Sequence, residues 1–331
     1  MFKYIVKRLL LSVIILIGVS FIIYALVRMM PMNYIETKYS SQLLQGTVTW
    51  EDVNRFMDLY GLNDSVIVGY FKWFGKLVSG DLGESFKYER PVAEVIGDYM
   101  WISFAIALIA TILQFLIAIP LGISSATHQY SVRDYTVTVL TMIGLSFPTY
   151  FFAAIVIRVF SLQLGWLPSG GLIDPGVDYA ADFAGQMAKF GDMAYHLILP
   201  ILVSVVLSVG GLMRYTRTNT LEVLNADYIR TARAKGLSER TVIYKHAFRN
   251  TLIPLATLLA GIIPGLFGGM MITEEVFAID GIGRLAYRAL REGDIPFVMG
   301  YNMFLAVLTV IGTLFSDIMY AVVDPRVKLA K

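Results

Sequence analysis

No cysteine occurs in the 331 residues, so disulfides, thiolate metal sites and cysteine nucleophiles are all excluded. Charge is scarce as well: Asp, Glu, Lys and Arg make up 16% of the chain, against about 25% in soluble domains. Histidine is rarer still, with His128, His196 and His246 as the whole set. They stand far apart, without the His/Asp/Glu spacing of a metalloprotease, and no metal centre is expected. Ser146 and Ser204, near span ends, lack an identifiable general-base partner. What fills the chain is apolar, 56% hydrophobic with a mean hydropathy of +0.65. The class is an all-α polytopic membrane protein.

A bilayer core about 30 Å thick needs roughly 20 apolar residues per helix. Six stretches satisfy this: Leu9 to Met30, Tyr99 to Ile123, Thr136 to Leu164, Ala194 to Met213, Thr251 to Ile272 and Phe297 to Val323. The first follows Lys3, Lys7 and Arg8 but is too long for a signal-peptide core and ends in Met29-Met30-Pro31 without a small-x-small cleavage site, so an uncleaved span is expected. With an even number of spans and the N-terminus inside, the inner segments carry 15 basic and 5 acidic residues, the outer ones, with Arg28 at the outer end of the first span counted among them, 11 and 19. Basic residues mark the cytoplasmic face. Both termini and the segment 214–250 are therefore expected inside.

Two regions follow from this order. Residues 1–98 comprise the first span and an outer insert, in which Val53, Phe56, Met57 and Tyr60 repeat at helical spacing, Gly61 can stop that helix, and a second helix covers Ser65 to Val78. The insert packs as a lid or offers a docking surface. Residues 99–331 form a five-helix core with Pro120, Pro148, Pro200 and Pro264 inside its spans, where neighbours or a water-filled cavity must satisfy the freed backbone groups. The fifth span carries Gly261, Pro264, Gly265, Gly268 and Gly269 and is expected to line a pathway or act as a hinge, with simple close packing of helices as the alternative.

Arg158 and Asp317 are the intramembrane charges, expected about 9 Å deep from the outer and inner ends of spans three and six. Arg158 is expected to snorkel outward and Asp317 to meet Arg214 or the loop beyond it. Proton relay in a secondary transporter would call for carboxylates near the midplane, and the spans offer none. Beyond hydroxyls and these charges, their polar side chains include Gln114 and Asn302. Gly281-Ile282-Gly283-Arg284-Leu285-Ala286 matches a dinucleotide fingerprint only formally, since no strand precedes it, and Gly69 to Lys76 misses phosphate-loop spacing by one residue. The chain is expected to bind no cofactor.

Between spans four and five lies Asp227-Tyr228-Ile229-Arg230-Thr231-Ala232-Arg233-Ala234-Lys235-Gly236-Leu237-Ser238, running on to His246-Ala247-Phe248-Arg249-Asn250. Asn225 or Asp227 can cap a first helix, Gly236 can take the left-handed terminal position and Ser238 can cap a second helix. Tyr228, Ala232 and Lys235 share one face, Arg230 and Arg233 the other. The first helix, about 13 Å long, can insert into a groove on a partner, where the small Ala232 would permit close approach; from charge alone the segment equally reads as a solvated basic loop on the cytoplasmic face.

This segment resembles the cytoplasmic coupling loop of the dipeptide/oligopeptide permease family of binding-protein-dependent ABC importers. Of the signature Glu-Ala-Ala-x3-Gly, Ala232 and Gly236 keep their identities and Arg230 replaces the glutamate. Other likenesses run along the chain: Gly80 to Ser85, Arg90-Pro91-Val92, Leu164 to Pro168, Glu275-Val276-Phe277 with Gly281 to Arg284, and Asp324-Pro325-Arg326. The resemblance implies six helices in the type I importer permease fold and no catalysis by this chain. It also implies a second homologous permease, two ATPases that bind ATP and Mg, an extracytoplasmic solute-binding protein and surrounding lipid as partners, with no nucleic acid. Coupling would fall to Asp227, Tyr228, Arg230, Ala232, Arg233 and Gly236, and the cargo would be di- or oligopeptides. A permease for nickel or oligosaccharide is the alternative, and a secondary transporter a more distant one.

Overall fold

The computed structural model describes residues 2–29, 39–40, 43–44, 46, 49–59 and 63–323. These residues are mostly helical, with no strand among them and one isolated antiparallel bridge, Glu84 to Pro91. The expected motif Asp324-Pro325-Arg326 and the helix stop at Gly61 lie outside the described residues. Two compact units emerge: Met1–Tyr99 with Leu285–Val310, and Met100–Arg284 with Ile311–Lys331.

In the first unit, α1 (Phe2–Arg28) is met by the outer-insert helices α2 (Trp50–Leu59) and α3 (Val66–Val78). Aromatic side chains hold them. Tyr24 stacks on Trp73 with centroids 5.8 Å apart, and the Ser20 and Tyr70 hydroxyls share a buried hydrogen bond of 2.9 Å. Val53 and Met57 of α2 turn into the same core, as their helical spacing predicts. Ile295 and Met299, from the start of α14 (Ile295–Val323), complete it. Beside this core the fully buried Asp294 accepts hydrogen bonds from Ser85 Oγ (2.5 Å), Lys87 N (3.1 Å) and Phe297 N (3.2 Å). One carboxylate thus caps α14 and fixes the turn that follows Gly80-Asp81-Leu82-Gly83. Burial next to Asp294 pushes the Tyr39 hydroxyl up to about 12.

The second unit takes in most of α4 (Val92–Thr127), then α5 (Val132–Ser146), α6 (Thr149–Val156) with a π-helical extension Ile157–Gln163, α7 (Phe183–His196) and α8 (Ile198–Leu224). After α9 (Asp227–Ala234) come a short turn Glu239–Thr241, a π-helical stretch Val242–Ala247, α10 (Phe248–Thr257), α11 (Leu259–Phe267) and α12 (Met271–Val276). Helix α13 (Ile282–Glu292) begins here. Helices α5 and α8 run antiparallel in near contact. A Cβ on Gly210 would lie 2.6 Å from the Thr141 carbonyl oxygen, and one on Gly144 would lie 2.8 Å from that of Val206, so only glycine lets the backbones come this close.

Three of the expected spans take a different form. The third is not one straight helix: α5 and the limb Thr149–Gln163 meet at 103°. Pro148 supplies no N–H and forces Phe147 out of the helical region, to φ −82° and ψ 132°, so the ladder stops there. Arg158 therefore sits exposed on the transverse limb rather than partway down a straight span. The fifth span is divided at Leu258 into α10 and α11 and ends at Phe267, because Gly268 and the left-handed Gly269 (φ +75°) turn the chain before Ile272. The fourth continues past Met213 to Leu224, which carries Arg214 and Arg217 on the helix instead of in a loop. Among the described residues, Val6–Arg28, Val92–Thr127, Phe183–Leu224 and Ile295–Ile318 are each long and apolar enough to cross a membrane, and the bent pair makes a fifth candidate.

Candidate functional site

The hairpin after α8 is built from within. Ala226 occupies the N-cap position without a side-chain bond, so neither Asn225 nor Asp227 caps α9. Asp227 instead stands in the first turn, where its charge complements the helix dipole. Gly236 adopts φ +76°, and Ser238 Oγ accepts from Thr241 N, as their positions predict. Ile229 and Ala232 are buried against Val242 and Ala247, with Val223 and Leu224 of α8 packed on the same cluster. The hairpin is thereby fastened to the end of α8 by an apolar core of its own.

That core corrects the expected role of Ala232, which points inward and cannot be the small residue offered to a partner. The exposed face consists of Asp227, Tyr228, Arg230, Thr231, Arg233, Ala234 and Lys235. Tyr228 is 47% exposed although its inner part is covered, and partial burial raises its hydroxyl pKa. Arg230 pairs with Asp227 at 3.5 Å, and Arg233 reaches across the turn to Glu239 with Nε 2.8 Å from Oε1. Arg233 and Glu239 border a polar cleft of about 380 Å³ that also takes in Thr127, Gln129 and Asn225.

A larger cavity of about 540 Å³ opens among α4, α8 and α11, with Thr111, Gln114, Ser208, Gly261, Gly265 and Met270 on its walls. The expected glycines Gly261 and Gly265 line it, and the described lining holds no ionised side chain. Gln114 Nε2 donates to the Ser208 carbonyl oxygen at 3.1 Å. Pro264 lies within α11, Gly268 ends that helix, and Gly269 turns away from it. Asp317 is half-buried on α14, while Arg214 directs its guanidinium to Met142 Sδ.

Sequence reasoning missed Glu274, which has no exposed surface. Its Oε1 accepts from Ser103 Oγ (2.7 Å) and Met270 N (2.9 Å), its Oε2 from Arg284 N (2.9 Å), and Ser103 Oγ in turn accepts from Ile282 N (2.9 Å). The glycines Gly269, Gly281 and Gly283 close around it. A Cβ on Gly281 would lie 2.5 Å from both Glu274 Oε2 and Ser103 Oγ. The formal Gly-x-Gly pattern is thus a cradle for a carboxylate of the same chain. The Arg284 side chain pairs with Glu275 and Asp280 at 3.0 and 2.8 Å.

The expectation that no histidine has a carboxylate at ligand spacing also needs correction. Asp192 and His196 stand one helical turn apart on α7 with Oδ1 and Nδ1 at 3.0 Å, and Asp174 Oδ1 lies 3.6 Å from Nε2. The ligand-type atoms lie within 4.8 Å of one another, close enough for one cation. Asp192 is already engaged within the chain: Oδ2 accepts from Asp174 N (2.7 Å) and from Tyr179 Oη (2.5 Å), whose pKa is pushed up to about 12 by that hydrogen bond. The group is a clasp that ties the segment before α7 to the helix.

Residues 118–329 match the model of the family described as binding-protein-dependent transport system inner membrane component, and residues 1–107 match the N-terminal model of the same transport systems. The oligopeptide transport system permease protein AppB of Bacillus subtilis is 38% identical over 329 residues, covering 99% of this chain and 100% of that protein. The dipeptide transport system permease protein DppB of Alkalihalophilus pseudofirmus is 33% identical over 338 residues, with 99% and 100% covered. A putative peptide permease of Brucella suis is 32% identical over 330 residues, again with 99% and 100% covered.

Proposed function

The chain belongs to the family of binding-protein-dependent transport system inner membrane components, and from that premise we propose that it is one membrane-spanning subunit of an ATP-driven importer of di- or oligopeptides. The observation that carries the mechanism is the hairpin around α9, whose apolar core fastens it to α8 while its other face stays open. A rigid attachment on one side and a free surface on the other are what a mechanical coupling between subunits requires. Two ATPase subunits would bind ATP and Mg and seize this face in the cytoplasm. A second permease would complete the pathway, and an extracytoplasmic binding protein would deliver the cargo. Both termini would lie on the ATPase side, in a bacterial or archaeal cell membrane.

In this scheme ATP-driven closure of the ATPases moves α9, and α9 moves α8. Helix α8 forms one wall of the 540 Å³ cavity, so its displacement changes the cavity's access. The two names in which relatives are called oligopeptide and dipeptide permeases support the cargo class. So does the cavity: a wall of hydroxyls, one amide, glycine and apolar groups gives no fixed charge to discriminate among side chains. Selectivity would then reside in the binding protein. Nickel is disfavoured, since the cavity presents no cluster of imidazole or carboxylate ligands among its described residues.

Exchanging the cognate binding protein for one of different peptide preference, in a complex reconstituted in proteoliposomes, is expected to transfer that preference to ATP-dependent uptake. Retention of the original preference would place selectivity in the permeases. Uptake of a metal ion or sugar in place of any peptide would refute the cargo.

A further inference from the structure

We propose that Asp134 and Arg217 form a positioning pair that makes α5 and α8 a single lever, so that a stroke at the hairpin moves both helices together; this rests on the permease reading above. Arg217 Nε donates to Asp134 Oδ1 at 2.9 Å and its terminal nitrogen donates to Oδ2 at 2.8 Å. The contact is a two-pronged fork, in which the guanidinium and the carboxylate fix each other's orientation as well as distance. Asp134 is buried, with 4% of its side chain exposed.

Asp134 is also tied into its own turn. It is the third residue of α5, where its backbone N–H donates to the N-cap Ser131 Oγ and its Oδ2 accepts from Tyr130 N at 3.1 Å. This is a variant of the reciprocal capping arrangement, and it holds Tyr130 in a left-handed conformation at φ 63°. A pull on Arg217 is therefore delivered to the end of α5 and to the turn before it, not to a freely rotating side chain.

Arg217 lies between the hairpin and the helix contact above it. Toward the hairpin, α8 continues to Leu224, which packs with Val223 on the core of Ile229 and Ala232. Away from it, the close approaches at Gly210 and Gly144 hold α5 and α8 together to within a turn of the 103° break. Glycine contacts alone would let the helices slide, because they are smooth and non-directional. The fork adds the fixed point at the end nearest the hairpin. Beyond the break, α6 packs on α8 through Ala153, Val156 and Val203, so movement of the pair reaches the transverse limb as well.

The test uses the complete importer, with its second permease, ATPases and binding protein, in proteoliposomes. Asp134→Asn is expected to lower the peptide imported per ATP hydrolysed about tenfold, while binding-protein-stimulated hydrolysis is retained. Arg217→Lys, which keeps the charge but not the fork, should give an intermediate ratio and carries the test where Asp134→Asn does not assemble. A merely structural staple would lower uptake and hydrolysis in proportion. Such a proportional fall, or an unchanged ratio in the assembled variants, would overturn the lever. Ala234→Trp, on the open face of α9, serves as the control: if it leaves uptake intact, the coupling reading itself fails and the lever with it, whereas if it blocks uptake while the Asp134 ratio is unchanged, only the lever fails.

Discussion

Replacing Glu274 by alanine is expected to destabilise the protein by about 3–5 kcal/mol, since buried donors left without an acceptor cost roughly 1–3 kcal/mol each. Three donors lose their acceptor at once: Met270 N, Arg284 N and the Ser103 hydroxyl. Packing makes relaxation difficult, because Gly269, Gly281 and Gly283 are already at the limit of approach around the carboxylate. Glu274→Gln is milder. One oxygen remains an acceptor, but the amide nitrogen must face a donor at either Arg284 N or the Met270/Ser103 side, at a cost on the order of 1–3 kcal/mol. Thermal unfolding of the purified complex should rank wild type above Glu274→Gln above Glu274→Ala. An alanine variant as stable as wild type would show that the cradle does not hold the 269–284 segment.

The second large effect is expected at the hairpin. Gly236→Val places a β-branched residue at φ +76°, a conformation that costs an ordinary residue roughly 1–2 kcal/mol and a β-branched one more. The two limbs of the hairpin that meet at Gly236 should lose their fixed angle, while Ile229 and Ala232 keep their contact with Val223 and Leu224 of α8. Ala234→Trp leaves that core untouched and obstructs the open face. Both are expected to reduce uptake about thirtyfold or more, the scale of losing a central contact at an interface, without loss of membrane insertion. Ala232→Trp would be a poorer probe, because a buried indole at that position unpacks the hairpin and confounds coupling with folding. Normal uptake by Ala234→Trp would exclude α9 as the coupling element, and normal uptake by Gly236→Val would exclude the fixed turn at Gly236 from that role.

Much of the fold was legible because its determinants are local. Length and apolarity marked the membrane helices, spacing placed Val53 and Met57 in the insert core, and Gly236 with Ser238 announced the hairpin. Pro148 signalled an interruption, but a 103° bend is set by how α6 packs across α8 through Ala153, Val156 and Val203, which proline chemistry alone does not specify. Ala232 was misplaced for a related reason. A helical wheel reports which residues share a face, and only tertiary packing decides which face is covered. The Asp192 to His196 spacing was available as an i, i+4 pair; Asp174, eighteen residues before Asp192, was not.

The polar centres of the site were the least legible part. Asp134 meets Arg217 across 83 positions, and Glu274 meets Ser103 across 171. Nothing in either neighbourhood reports the partner, since an isolated Asp or Glu reads as a solvated charge until the chain brings a fork or a set of backbone amides to it. The glycines around Glu274 carried a signal, a run of small residues beside acidic ones. Its meaning as a cradle depends on the turn at Gly269, which returns the chain to Ser103 within α4.

The most direct test of the central claim exploits the absence of cysteine. With Tyr228→Cys as the sole cysteine of this chain and single cysteines placed along the ATPase groove, oxidative cross-linking in the assembled importer is expected to join the two subunits, with a yield that changes when ATP is bound. The same cross-link would fix the hairpin on the ATPase side of the membrane. If position 228 stays uncross-linked and fully reactive to a water-soluble thiol reagent in an assembled, actively transporting complex, the hairpin does not carry the stroke and the coupling mechanism is contradicted.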